Sequence, residues 1–205
     1  MKKKILSYLI CLTMLISLCG CGKKVEEQGE VEQPKEPEKK LQIVDLNSNS
    51  RPYAVMINNN HAAWPQAGLQ DAYIVYEIVV EGGITRMMAL YKDADTAKIG
   101  SIRSSRHYFL DYALENDAIY VHFGWSPKAQ SDISTLKINN INGLYDTCFW
   151  RDKTLKRAYE HTAFTNIEKL KETTKKKGYR TETDKDLLLN YSVDELDLSS
   201  KEGAV

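Results

Sequence analysis

Between Arg51 and Gly178 the apolar residues come in short runs rich in β-branched and aromatic side chains, broken by Gly, Asn, Asp and Pro. Tyr53 to Ile57 is continuously apolar and predicts a buried strand, stopped by Asn58, Asn59 and Asn60. Pro65 to Gly68 reads as a turn or loop. Tyr73 to Val80 fits strand or helix by period alone, and its Tyr, Ile and Val content favours strand. Gly82-Gly83 permits a tight turn, so Ile84 to Lys92 is expected to return as a hairpin partner. After a turn at Asp93 to Asp95, Ala97 to Ile102 reads as a short strand, and Asp117 to Phe123 as another, ended by Gly124.

Helix signals fall among these strands. Ser104 or Ser105 is placed to cap a helix running to about Glu115. Ser126, with Pro127 in the first turn, opens one to about Leu136, and Thr165 or Asn166 opens another to about Lys177, stopped at Gly178. Alternating strands and helices predict an α/β layered domain, with a mixed central sheet flanked by helices.

The first 40 residues follow a different pattern. Lys2-Lys3-Lys4 precedes an apolar run from Ile5 to Leu18, and Leu18-Cys19-Gly20-Cys21 closes it. The run is too short to span a bilayer, which takes about 20 residues. The segment resembles a lipoprotein signal with its lipobox, which implies cleavage before Cys21, diacylglycerol on its thiol and acylation of its amine. Two or three chains at about 0.8 kcal/mol per buried methylene anchor a protein stably, on the extracytoplasmic face of the bacterial cell membrane. From Gly22 to Lys40 the chain is Lys, Glu, Gln, Gly and Pro with little that is apolar, the composition of a disordered tether. The expected organisation is a signal peptide over 1–20, lipidated Cys21 and linker over 21–40, and the α/β domain over 41–180. Residues 181–205 read as a polar tail or the start of a truncated C-terminal domain.

Charge narrows the partners. With 28 Lys and Arg against 28 Asp and Glu the formal charge is zero, so no global field favours nucleic acid. Cys11 and Cys19 leave with the signal and Cys21 is modified, which leaves Cys148 alone and no disulfide framework. Followed by Phe149 and Trp150, Cys148 reads as a buried small hydrophobe, with a catalytic thiol as the alternative. No His-x-x-x-His pair and no Cys pair occur, so no metal site and no cofactor are expected.

Two clusters carry candidate chemistry. Glu77, Glu81 and Arg86 bracket the Gly82-Gly83 turn. Glu77 lies either on an exposed sheet face, paired with Arg86 across the hairpin, or is buried with a partner. The second cluster, Arg103-Ser104-Ser105-Arg106-His107, sits where a strand is expected to meet a helix N-terminus. Two guanidinium groups, hydroxyls and an imidazole there suit a phosphate or carboxylate. The alternative is a structural network of Arg103 and Arg106 with Glu77, Glu81 or Asp111. His122, near a strand end where α/β sites form, reads as a site residue or as a satisfied structural histidine.

Arg51-Pro-Tyr-Ala-Val-Met-Ile-Asn-Asn59, Asp71-Ala-Tyr-Ile-Val-Tyr-Glu77, Glu81-Gly-Gly-Ile-Thr-Arg86, Ile99-Gly-Ser-Ile-Arg-Ser-Ser-Arg106 and Ala118-Ile-Tyr-Val-His-Phe-Gly124 together resemble the YerB-type bacterial lipoproteins, a family of unknown function. The resemblance spans about Arg51 to Lys177 and implies a second, smaller C-terminal domain. Asp71 and Ser101-Ile-Arg103 are also similar in placement to residues of the LytR-CpsA-Psr enzymes, which implies a pyrophosphate-facing Asp and Arg; the Pro-Arg-Asp context of those enzymes is absent.

Three function classes follow. The first is a lipid-anchored module binding an anionic cell-envelope ligand through Arg103, Ser104, Arg106 and His107, with Glu77, Glu81 and Arg86 around them. The second is a phosphotransferase-like or hydrolytic enzyme with Asp71, Glu77 or Glu81 as base or metal ligand. The third is an interaction scaffold using Trp64, Trp125 and Trp150.

Overall fold

The structure, a computed structural model, describes residues 40–41, 43–192 and 196–197. The expected signal, Cys21 and the tether before Lys40 lie outside the described residues. The elements run β1 (Lys40–Leu41), β2 (Tyr53–Asn58), β3 (Ile74–Val79), β4 (Thr85–Tyr91), β5 (Ile99–Gly100), α1 (Leu110–Glu115), β6 (Ile119–His122), α2 (Pro127–Thr135), β7 (Asn140–Asn142), β8 (Trp150–Arg151), β9 (Ala163–Thr165), α3 (Ile167–Lys176) and β10 (Leu196–Asp197).

The central sheet has five strands in the order β3-β4-β2-β6-β7. β3, β4 and β2 are antiparallel neighbours, while β6 runs parallel to β2 and to β7. A second, antiparallel sheet has the order β5-β9-β8, and β1 pairs with β10.

The mixed sheet is layered as its patterning requires. On one face Ala54, Met56, Met88, Leu90 and Tyr120 meet Leu110 and Ala113 of α1 and Ile133 of α2. On the other, Val55, Ile57, Ala89, Val121 and Ile141 meet Ile99, Ile102 and, on α3, Ile167 and Leu170. β2 is covered on both faces, which is why its run is apolar without alternation. Each fully buried side chain such as Met56, Ile57 or Leu90 contributes roughly 1.5–3 kcal/mol of hydrophobic transfer free energy. β3 alternates half-buried with exposed residues, because only its Ile74, Tyr76, Ile78 face packs on the core. Cys148 is buried and free.

Ser126 and Asn166 cap α2 and α3 as their sequences predict, accepting from the Ala129 and Lys169 N–H groups. Two expectations need correction. The strand expected over Ala97 to Ile102 is regular only at Ile99–Gly100, because Gly100 has φ 142° and redirects the chain. The helix expected from Ser104 or Ser105 starts only at Leu110, after a 3₁₀ turn at His107–Phe109. Neither serine caps it: Ser105 Oγ accepts from the Tyr120 hydroxyl at 2.9 Å instead. The arginine cluster therefore does not sit on an α-helix N-terminus.

Residues 181–192 are tied to the domain. The Arg51 N–H donates to Thr181 O, the Thr183 N–H donates to Asn49 O, and Leu187 and Tyr191 pack beside the α1 and α2 side of the core.

Candidate functional site

Past their paired residues, the parallel strands β2 and β6 admit the segment Ser101–Ser105 between their carboxyl ends. The Asn58 N–H donates to Ser101 O at 2.8 Å, and Ile57 bridges Ile102. The Arg103 N–H then donates to Met56 O at 3.0 Å, while its own carbonyl accepts from the Phe123 N–H at 3.0 Å. Further on, the Ser105 N–H donates to Gly124 O and the Ser126 N–H to Ser105 O. This crossing segment is fixed by main-chain bonds to both strands, at the strand ends where sites in α/β sheets form. Gly100 makes its entry fit: a Cβ there would stand 2.7 Å from Ala163 O.

Three arginines converge on the segment. Arg86, near the start of β4, pairs in register with Asn58 of β2 and Ile78 of β3. It is 5% exposed, and its Nη1 donates to Ser104 O at 2.6 Å. It forms no ion pair within 4 Å among the described residues. Burial, and then the charges of Arg106 and Arg103, push its pKa down to about 10. Arg106 donates through Nε to Glu81 at 2.7 Å, and this hydrogen bond holds the Glu81 carboxyl below its usual range. Among the described residues the Arg103 Nε is buried without a hydrogen-bond partner, and its Nη1 has only a long contact, 3.5 Å, to Glu160 O. Burial lowers the Arg103 pKa as well, with Glu160 opposing that shift and Arg106 and Arg151 adding to it. The arrangement is a cluster of guanidinium groups with one exposed ion pair, able to receive oxygen acceptors from outside the protein.

The other residues picked out by sequence are distributed differently. Ser104 is half-buried and joins the cluster through its carbonyl. His107 is exposed, with its ring edge-on to Tyr108. Glu77 does not pair with Arg86: the register sets Glu77 opposite Met87, and its Oε1 accepts from Asn59 Nδ2 and Thr85 Oγ1. Glu77 thus anchors the loop after β2 and makes no contact with the arginines, whereas Glu81 pairs with Arg106. Asp71 is at the other end of the hairpin, accepting from Thr96 Oγ1 at 2.7 Å, so it does not face Arg103. Asp111 pairs with neither Arg103 nor Arg106. His122 is a structural residue: fully buried, it donates from Nδ1 to Gly124 O at 2.8 Å, and burial pushes its pKa down to about 4. Of the three tryptophans only Trp64 is exposed, and its Nε1 donates to Asn59 Oδ1.

Residues that sequence reasoning left aside complete the site. His161, 6% exposed, stands beside Arg103 in the chain's 3₁₀ turn Tyr159–His161 and meets Asn58 at 2.7 Å. Arg151 lies over the rings of Phe123 and Tyr159, 4.5 and 4.0 Å from their centroids. The contact between Asn58 and His161 joins positions 103 residues apart, for which the sequence carries no local signal. Among the described residues no group of His, Cys, Asp and Glu is arranged to hold a metal ion, and no helix is long and apolar enough to cross a membrane.

Comparison with known proteins places this domain. Residues 41–180 match the family model described as "Protein of unknown function (DUF3048) N-terminal domain". The chain is 32% identical over 196 residues to the Bacillus subtilis protein named "Putative lipoprotein YerB", covering 95% of this chain and 58% of that one. The crystal structure of YerB from Bacillus subtilis superposes with a TM-score of 0.65 at 34% identity, over 74% of this chain and 54% of that one. The chain spans little more than half the length of these relatives, and it belongs to the DUF3048 N-terminal domain family.

Proposed function

We propose that this DUF3048-family chain is an extracytoplasmic lipoprotein, anchored to the membrane through Cys21, whose domain binds an anionic cell-envelope ligand at Arg86, Arg103 and Arg106. The anchor reading rests on the lipobox and on the name of the Bacillus subtilis relative. The binding reading rests on one observation. Three guanidinium groups share the carboxyl ends of β2 and β6, one of them is paired with a carboxylate, and the buried Arg103 Nε has no partner. Leaving a buried donor unmade costs about 1–3 kcal/mol, a cost that a bound oxyanion removes.

Of the three carboxylates expected as base or metal ligand, Glu77 is engaged with Asn59 and Thr85, Asp71 with Thr96, and Glu81 is held in an ion pair by Arg106. Binding without covalent chemistry is therefore the reading put forward.

The test is calorimetric titration of the full chain, held in detergent micelles, with inorganic pyrophosphate. Wild type binds, and Arg103→Ala and Arg106→Ala each weaken binding about tenfold or more, since a charged hydrogen bond contributes roughly 1.5–3 kcal/mol. Arg103→Lys is already impaired, because an ammonium does not reproduce the planar fork. Wild-type affinity in both alanine variants overturns the reading.

A further inference from the structure

We propose that His161 is a ligand-binding residue of the arginine site, presented by Asn58 as an uncharged donor, and that the site takes a phosphate group carrying two negative charges, as phosphate monoesters do. The inference deepens the anion-binding reading and rests on it.

The tautomer of His161 follows from Asn58. A backbone N–H only donates, and the Asn60 N–H reaches Asn58 Oδ1 at 3.0 Å, which fixes the amide with its oxygen on that side. The amide nitrogen Nδ2 then faces His161 Nδ1 at 2.7 Å. Nδ2 has only hydrogens to offer, so Nδ1 accepts and the ring proton sits on Nε2. No acceptor for that Nε2–H is found among the described residues, and the nitrogen keeps access to solvent and so to a ligand. Burial lowers the His161 pKa, and Arg103 and Arg157 add to that, against Glu160. The ring is thus a neutral donor next to the Arg103 guanidinium, whose Nε is buried without a partner among the described residues.

Charge sets the class of ligand. Of Arg86, Arg103 and Arg106, one is compensated by Glu81 through a direct ion pair. Glu160 contributes its carbonyl to Arg103 at long range and no ion pair within 4 Å. Two guanidinium groups are left without a carboxylate, with Arg86 as buried as His161. A carboxylate or a phosphodiester brings one charge and leaves one cation uncompensated. A monoester phosphate brings about two charges at neutral pH and three terminal oxygens, which can accept from the guanidinium groups and from the His161 Nε2–H.

The experiment is calorimetric titration of the full chain in detergent at pH 7.5 with methyl phosphate, dimethyl phosphate and acetate, with ¹⁵N NMR of the histidine side chains. Methyl phosphate binds at least tenfold tighter than the two monoanions, and the His161 ring shows the Nε2–H tautomer. His161→Phe lowers methyl phosphate affinity about tenfold, and His161→Gln, which keeps an amide donor, restores most of it. Glycerol 3-phosphate and short-chain phosphatidate are titrated alongside: both are monoesters, and the tighter one identifies the source as a soluble ester or a lipid headgroup. Equal affinity for methyl and dimethyl phosphate, an Nδ1–H tautomer in wild type, or unchanged binding in His161→Phe overturns the inference. If pyrophosphate binds while these results fail, only this inference falls; if pyrophosphate does not bind either, the anion-binding reading falls with it.

Discussion

Arg86 Nη1 meets the carbonyl oxygen of Ser104 at 2.6 Å, so a side chain near the start of β4 holds the segment that crosses between β2 and β6. The same guanidinium is buried without a carboxylate partner among the described residues. Its removal takes away one hydrogen bond and also relieves desolvation and like-charge repulsion, and these effects offset each other. Arg86→Met is expected to change unfolding free energy by no more than about 1 kcal/mol while weakening pyrophosphate binding about tenfold. Chemical denaturation and calorimetry on the same preparation read both quantities.

Glu81 has the opposite sign. Its side chain is 65% exposed, so its pair with Arg106 contributes little to stability. Glu81→Gln frees Arg106 and removes the site's one paired carboxylate, and is expected to tighten anion binding about threefold at low salt, less at high salt. The melting temperature stays within about a degree or two. Weaker binding in this variant would show that Glu81 orients Arg106 for the ligand.

His122 sets an acid limit on stability. Its folded pKa, lowered to about 4 by burial, lies under the unfolded value of 6.5, so below 6.5 the unfolded chain binds the extra proton first. The stabilisation is complete above pH 6.5 and is lost as pH falls toward 4, by about 3 kcal/mol across that window. Denaturation midpoints measured from pH 7.5 to 4.5 fall accordingly. In His122→Gln this part of the slope disappears, whatever the variant's stability at neutral pH.

Gly100→Ala tests the entry of the crossing segment. The new methyl would stand 2.7 Å from Ala163 O and 2.9 Å from Phe164 Cδ1, at a φ of 142° that an L side chain rarely adopts. A loss of at least about 2 kcal/mol is expected, together with loss of anion binding as Arg103 leaves its place. Equilibrium unfolding that matches wild type would mean that the segment is held by other contacts.

Lipidation is tested at Cys21. The Cys21→Ala protein is expected to lose incorporation of radiolabelled fatty acid and to leave the membrane fraction. Undiminished labelling would assign the anchor elsewhere.

The sequence made β2, β3 and the caps of α2 and α3 readable because each is a local signal: a continuous apolar run for β2, aromatic and β-branched content in β3, and Ser126 and Asn166 before apolar stretches. The segment from Ala97 to Ser105 was legible in type but not in detail. Its main-chain bonds are shared among Ala67, Asn58, Met56, Phe123 and Gly124, and no periodicity encodes such scattered partners. The arginines were visible as residues, whereas their surroundings were not. Glu77 and Glu81 are four apart in sequence, yet the register turns one toward Asn59 and the Glu81–Gly83 turn brings the other to Arg106. Asn58 looked like a strand stop and His161 carried no signal of its own, and only their contact across the fold brings the two together.

The uncovered face of β3 has a further bearing on how this chain behaves among its own copies. β3 is an edge strand of the central sheet among the described residues, and Val75 and Val79 on that face are 42% and 66% exposed. An edge with a bare valine stripe is a template for intermolecular pairing. Glu77 interrupts the stripe at its middle. Two such edges meeting antiparallel about this residue would set carboxylate against carboxylate, an unfavourable cross-strand pair. A side chain that looked from sequence like a candidate for chemistry thus stands where its charge disfavours pairing of this edge with another copy of itself.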